Sequence, residues 1–170
     1  VGHNYTDEFT VPSTACITQC LMGLRKNIPA IDIAAGCSGG LYALEAAIEK
    51  MYAMHLANGK KDMNILVGAV DKLSNVVDWT DRETCVLLSD SASSQVLRFY
   101  DDGGFLSIHT QANGSLGNKI SYRSGYSSQL INKNPIEFSN EKTIKRQYFK
   151  MDGKPVFKFA VKEMPEIVEK

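Results

Sequence analysis

The sequence of 170 residues has no net charge to speak of: 19 basic residues meet 19 acidic ones, while 44% of the chain is hydrophobic. Disorder needs low apolarity and a large net charge, so it is excluded, and the balance gives no whole-chain case for nucleic-acid binding. No uninterrupted apolar run reaches about 18 residues, so no transmembrane helix is expected. Val1 to Glu8 has neither a basic start nor an apolar stretch and does not read as a signal peptide. An initiator Met is missing as well, and the natural start is expected to lie elsewhere. Zinc spacing is also lacking: Cys16, Cys20, Cys37 and Cys85 are unevenly placed, and no second Cys/His pair follows the first two. Without a secretory signal, a disulfide-stapled fold is not expected, and a reducing cytoplasm is the default. Cys16, Cys20 and Cys85 read as small buried hydrophobes. Cys37 differs.

What is present follows an α/β order. Pro12-Ser13-Thr14 opens a helix with Pro in its first turn, expected to run to about Asn27. Residues 30–35 form a short buried strand ending in Ala-Ala-Gly. A second helix spans about Ser38 to Asn58, with Leu41, Leu44, Ile48, Met51 and Leu56 on or near one stripe and Gly59 closing it. Asn64 to Val70 reads as a strand. Residues 84–89 and 94–100 are two more strand candidates flanking a polar turn, Ser89-Asp90-Ser91-Ala92-Ser93, and Phe105 to Thr110 is another. Residues 113–140 are loop-like, and Gln147 to Met151 is extended. Asp152-Gly153 starts a last helix carrying Val156, Phe157, Ala160, Val161, Met164, Ile167 and Val168, with a kink expected at Pro165. The order argues for a layered α/β fold with a largely parallel sheet.

Cys37 stands in Ile31-Asp32-Ile33-Ala34-Ala35-Gly36-Cys37-Ser38-Gly39-Gly40-Leu41. This reads as a buried strand, a tight turn of small residues, and a long helix beginning at the cysteine. Unpaired backbone N–H groups and the positive end of the helix dipole would favour negative charge on its sulfur. Small neighbours admit a substrate and a tight turn. The logic is that of a nucleophile elbow, although the spacing does not fit Gly-x-Ser-x-Gly. On these residues alone, a reactive cysteine and an ordinary glycine-rich packing of helix on sheet are equally good readings.

Four blocks carry a resemblance. Ala34 to Leu44 closely resembles the nucleophile segment of thiolase-fold condensing enzymes, specifically β-ketoacyl-ACP synthase III. Val67-Gly68-Ala69 followed by Asp78 to Leu88 is similar to that family's strand and Asp-Arg segment. Met151 to Val161 resembles its post-midpoint loop and helix, and Phe9 to Cys20 the helix before the nucleophile strand. The resemblance implies an α/β, thiolase-like layered αβαβα fold, here incomplete. Residues 1–100 would belong to the half that carries the nucleophile. Residues 101–170 would begin the second half, with an inserted loop region over 113–150.

By the same resemblance, Cys37 would attack an acyl-CoA thioester and hold the acyl group covalently. Decarboxylation of malonyl-ACP would then give the carbanion that attacks the acyl-Cys37 thioester, in fatty acid or related biosynthesis. The Cys37 backbone N–H would be one oxyanion donor. Arg82 would lie where the CoA adenine stacks, and Met151 and Phe157 would line the pantetheine channel. From the residues themselves, Arg82 reads equally as an ion-pair partner of Asp78 or Asp81, and Met151 and Phe157 as core. The implied partners are acyl-CoA, acyl carrier protein and a second copy in a homodimer. No metal, redox or nucleotide cofactor, nucleic acid or membrane is implied, and the enzyme would be cytoplasmic. Two other readings keep the fold. One is an acyltransferase with a non-malonyl acceptor, and the other a non-catalytic partner subunit, against which the retained Cys37 argues.

The chain also departs from the family pattern. Ser89-Asp90-Ser91-Ala92-Ser93-Ser94 stands where a glycine-rich turn is usual, so it must avoid strongly positive φ or be strained. Gly40 replaces an aromatic, which changes the expected shape of the acyl pocket. The catalytic His and Asn of the family are not in this chain. His109-Thr110-Gln111-Ala112-Asn113 contains an inserted Thr110 and precedes the Met151 block, so His109 reads as an exposed strand or turn residue. Neither His3 nor His55 is placed as a base. The chain is thus expected to be the middle of a longer protein, inactive alone. Residues 142–170 hold a local basic excess, in which Lys150, Lys154, Lys158 and Lys162 mark one exposed ridge. An acidic carrier or CoA phosphates would suit that face.

Overall fold

The computed structural model describes residues 1–3, 11–101, 104–122 and 148–168. The chain divides into two compact units: Val1–Leu73 with Ser89–Thr110, and Ser74–Leu88 with Gln111–Lys170. No helix among the described residues is long and apolar enough to cross a membrane.

The first unit is built on a four-stranded sheet of β1 (Gly2–His3), β2 (Ile33–Ala34), β3 (Asn64–Lys72) and β4 (Asp90–Arg98), in the order β2-β1-β3-β4. β1 runs parallel to β2 and β3. β4 is antiparallel to β3 along its whole length, from Asn64 opposite Arg98 to Lys72 opposite Asp90. The expected parallel sheet therefore holds for three strands and ends at the fourth. The serine run expected to be a turn is the first half of β4 instead. No non-glycine residue among those described has positive φ, so the serines avoid strain by lying in extended backbone. Cross-strand pairing outweighs their turn preference, which is a weak local effect.

Helix α1 (Thr14–Leu21) is shorter than its apolar pattern suggests, and Pro12 precedes it rather than joining its first turn. Ser13 caps it, accepting from the Cys16 N–H at 3.2 Å, and the Asp32 carboxylate accepts from the N–H groups of Thr14 (2.7 Å) and Ala15 (2.9 Å). A carboxylate there also meets the positive helix end. At the other end the Gln19 amide donates to the carbonyls of Arg25 (2.8 Å) and Ile28 (3.3 Å), holding the following residues as a loop. Only Ala15 is buried in α1. Cys16 and Cys20 are exposed, against expectation, because two helical turns offer the core one narrow stripe and Ala15 fills it.

Helix α2 (Gly39–Asn58) ends as its sequence predicts, with Gly59 at φ +68° donating its N–H to the His55 carbonyl. Its buried face is not the leucine stripe. Gly39, Ala43, Ala47 and Met51 are buried at steps of four, while Leu41 is 57% exposed and Leu56 81%. Small side chains let the helix axis approach the sheet, so Ala43 and Ala47 join Val67 in a core flanked by Ile33, Ile65 and Leu97. Phe105 to Thr110, expected to be a strand, is irregular.

In the second unit, residues 82–87 are successive turns rather than the expected strand. The Asp81 carbonyl accepts from both Thr84 and Cys85 N–H groups, which bends Thr-Cys-Val-Leu-Leu in spite of its β-branched and apolar content. Cys85 is half-buried there. Val76, Val77, Thr84 and Phe149 are buried, and the Phe149 N–H donates to the Val76 carbonyl at 2.7 Å. Within the stretch expected to be loop, Ile120–Ser121 forms β5, antiparallel to β6 (Lys150–Met151); residues 123–147 lie outside the described ones. Helix α3 (Gly153–Val168) runs through Pro165. Lys150 on β6 and the α3 lysines Lys154, Lys158 and Lys162 are exposed, as the ridge predicts; no residue of α3 is buried.

Candidate active site

Strand β2 delivers the chain to Ala35, and Gly36 turns it with φ +57° into a short 3-10 turn, Gly36–Ser38, that leads directly into α2. A Cβ on Gly36 would meet nothing within 4 Å, so glycine is required there by backbone conformation and not by space. Cys37, at the centre of this turn, is exposed. Neither Ala35 nor Ser38 offers a side-chain cap, so the first N–H groups of the helical run are left without that competitor. A solvent-reachable thiol beside uncapped N–H groups and a helix N-terminus can attack a carbonyl carbon and steady the resulting oxyanion.

The turn is seated by contacts too close for any side chain. A Cβ on Gly2 of β1 would collide with the carbonyl of Gly39, and one on Gly39 would stand 2.7 Å from the His3 nitrogen. On the β3 side, a Cβ on Gly40 would stand 2.7 Å from that of Ala69. Gly40 is thus also a packing position against the sheet. The signal for this seam is the run of small residues at Gly39, Ala43 and Ala47, which the larger leucines mask in the sequence.

The histidines take other places. His3 Nε2 lies 3.5 Å from Asp32 Oδ2, and the His55 ring packs on Phe99 at 4.5 Å in the last turn of α2. Sixteen residues of helix put His55 roughly 24 Å from the Gly39 end. His109 is exposed, as expected, and the inserted Thr110 donates to both carboxylate oxygens of Glu45 (3.1 and 2.9 Å), which fastens the segment to α2. Among the described residues, no group of three or more His, Cys, Asp or Glu is gathered as for a metal.

Arg82, Met151 and Phe157 all lie in the second unit, and Cys37 in the first. Arg82 is exposed, and among the described residues no ion pair engages it. Its two expected partners are occupied. Asp78 Oδ1 accepts from the N–H (2.9 Å) and hydroxyl (2.7 Å) of Thr80, and Asp81 accepts from the Glu83 N–H (3.0 Å) and the Thr84 hydroxyl (2.7 Å). The Thr80 hydroxyl, and then its N–H, hold the Asp78 carboxyl below the ordinary aspartate range. Met151 is half-buried on β6, and Phe157 is 69% exposed on α3, so it is no core residue among those described.

Residues 31–114, which include this turn and Arg82, match the model of the 3-oxoacyl-[acyl-carrier-protein] synthase III family. The chain is 38% identical over 164 residues to a β-ketoacyl-[acyl-carrier-protein] synthase III of Coxiella burnetii (strain CbuK_Q154), covering 96% of this chain and 45% of the relative. The chain is similar to synthase III enzymes along nearly its whole length. A second relative, from Clostridium botulinum (strain Okra / Type B1), is 34% identical over 163 residues, covering 96% of this chain and 46% of its own. Among solved structures, the synthase III of Aquifex aeolicus VF5 superposes with a TM-score of 0.71 at 32% identity, covering 98% of this chain and 47% of that one. That of Pseudomonas aeruginosa PAO1 gives 0.75 at 26% identity, with coverages of 98% and 47%. The thiolase-like α/β reading therefore stands. The chain spans less than half the length of these synthase III relatives.

Proposed function

We propose that this chain is the nucleophile-bearing part of a 3-oxoacyl-ACP synthase III-type acyltransferase. The observation that carries the reading is the exposed Cys37 on a left-handed glycine turn, before the uncapped first turn of α2, within the stretch that matches the family model. Cys37 sulfur attacks the acyl-CoA carbonyl, the bond to CoA sulfur breaks, and CoA leaves as the thiol. The malonyl group on acyl carrier protein then loses CO2. Its methylene carbon attacks the acyl-Cys37 carbonyl and expels the Cys37 thiolate, leaving 3-oxoacyl-ACP. By the resemblance, the His and Asn that assist decarboxylation would lie outside this chain.

In this reading residues 1–100 belong to the first half of the enzyme and residues 101–170 to the second. Arg82 serves the nucleotide end of the donor, and Met151 and Phe157 serve its pantetheine arm. The chemistry draws on two thioesters and on no metal or redox cofactor. Cytoplasmic residence and a homodimer complete the reading and rest on the resemblance alone.

The test is to give the full-length protein an acyl-CoA and malonyl-ACP and to follow CO2 release together with the mass of the acyl carrier protein product. Wild type is expected to yield both CO2 and 3-oxoacyl-ACP, and Cys37→Ala no condensation product. Transfer of the acyl group without CO2 release would replace condensation by simple acyl transfer.

A further inference from the structure

Directly opposite residues of an antiparallel pair point to the same face of a sheet, so the register of β3 with β4 sorts the side chains of β4 by face. Ile65 and Val67 belong to the core beneath α2, and a Cβ on Gly40 of α2 would stand 2.7 Å from that of Ala69. The α2 face of β4 therefore carries their partners: Leu97 opposite Ile65, Gln95 opposite Val67, Ser93 opposite Ala69 and, one step on, Ser91 opposite Asp71. Along this face the chemistry changes. Leu97 packs on the core, whereas Gln95, Ser93 and Ser91 are exposed. Among the described residues, no hydrogen bond engages the hydroxyl of Ser91 or Ser93. The polar end is also the Cys37 end. Ala34 of β2, His3 of β1, Val70 of β3 and Ala92 of β4 share one level of the sheet. Ser91 lies one residue beyond that level, in the direction in which Ala35 and Gly36 carry the chain from β2 to Cys37. Ser93 is one strand over from Ala69, about 5 Å by ordinary cross-strand spacing. Cys37 precedes by three residues the Gly40 that rests on Ala69.

A saturated acyl chain laid on such a face would strip water from the hydroxyls and offer no bond in return, which costs free energy. A chain bearing an oxygen of its own restores those bonds. A serine hydroxyl both donates and accepts, so it serves a hydroxyl or a carbonyl oxygen equally. We propose that Ser91 and Ser93 are specificity-determining residues for the acyl group on Cys37, selecting short acyl chains that carry a hydroxyl or keto oxygen over saturated chains of the same length. The assignment rests on the acyl-CoA reading given above and names the donor class for that site. Composition alone puts these serines in a turn; the register with β3 brings them to the sheet face on which α2 begins.

The experiment times acylation of Cys37 in the full-length protein, read as adduct mass, by two donors that differ in one hydroxyl: 3-hydroxybutyryl-CoA and butyryl-CoA. Wild type is expected to favour the hydroxylated donor about tenfold in rate, the size of one or two hydrogen bonds between neutral groups. Joint replacement by Ser91→Ala and Ser93→Ala is expected to bring the ratio of the two rates close to one. Ser91→Thr with Ser93→Thr keeps both hydroxyls on side chains that favour a strand, and is expected to restore most of the ratio. The ratio is what a merely structural role would not move, since a distorted site slows both donors alike. A wild-type preference for butyryl-CoA, or a ratio that the double alanine variant leaves unchanged, would overturn the proposal while Cys37 remained the nucleophile. No adduct from either donor or from acetyl-CoA would instead sink the acyl-CoA reading, and the proposal with it.

Discussion

Gly40 and Ala69 are in contact across the helix–sheet seam, with room for no further carbon: a Cβ on Gly40 would stand 2.7 Å from that of Ala69. Gly40→Ala must therefore move the first turn of α2, or β3, by several tenths of an ångström. The expected cost is about 1–3 kcal/mol, typical of overpacking. Ala69→Gly should remove the clash, so the double variant is expected to be more stable than the sum of the two single losses. Denaturant unfolding of the four proteins measures that coupling, and strict additivity would show that the two residues do not meet.

Gly36 is required for a different reason. At φ +57° with open space around it, its replacement by Ala meets no atom and costs about 1–2 kcal/mol through backbone conformation. Gly59, at φ +68° with nothing within 4 Å, supplies the control at the far end of α2. Both alanine variants are expected to lose similar stability, but only Gly36→Ala should slow acylation of Cys37. Equal acylation rates in the two would mean that the turn does not set the position of the sulfur.

Asp32 joins pieces of chain far apart in sequence by accepting from Thr14 and Ala15 at the start of α1. Asp32→Ala is expected to destabilise by about 1–2 kcal/mol through loss of the cap, with Asp32→Asn retaining part of it. Hydrogen exchange should locate the loss in the first turn of α1. Protection unchanged in that turn would remove Asp32 from its capping role.

The Asp78 carboxyl gives a prediction in pH. Its folded-state pKa lies below the ordinary aspartate value, because the Thr80 hydroxyl and N–H bond the ionised form. A depressed carboxyl pKa contributes stability that is present above the unfolded value and lost as pH falls through the folded one. The turn over residues 78–81 is thus expected to loosen only on the acid side of ordinary aspartate titration. Carboxyl-carbon NMR should show a midpoint below that of an unstructured peptide, moving upward in Thr80→Val. A midpoint equal to the peptide's would dissolve the turn as drawn.

What could be read from the chain follows the range of the forces involved. Helix α2, its Gly59 stop and strand β3 are set by local periodicity and a cap, and the sequence displays them. Residues 84–88 have strand composition, but the Asp81 carbonyl takes the Thr84 and Cys85 N–H groups into turns and its carboxylate holds the Thr84 hydroxyl. The serines of β4 have turn composition, yet Ser91, Ser93 and Ser94 pair with Asp71, Ala69 and Gly68 of β3 from across the sheet. Cys37 was legible as a candidate because strand, small turn and helix are adjacent in sequence. The seam that seats it joins Gly2, Gly39, Gly40 and Ala69 from three elements, and no local pattern reveals such a contact.

The central claim, that Cys37 is the nucleophile, is tested most directly by the intact mass of the full-length protein after incubation with a panel of acyl-CoAs. Cys16 and Cys20 are also exposed and Cys85 is partly so, which makes the measurement discriminating. The account predicts one acyl group per chain in wild type and none in Cys37→Ala, although the other three thiols remain. An adduct that persists in Cys37→Ala, or no adduct from any donor, would contradict it.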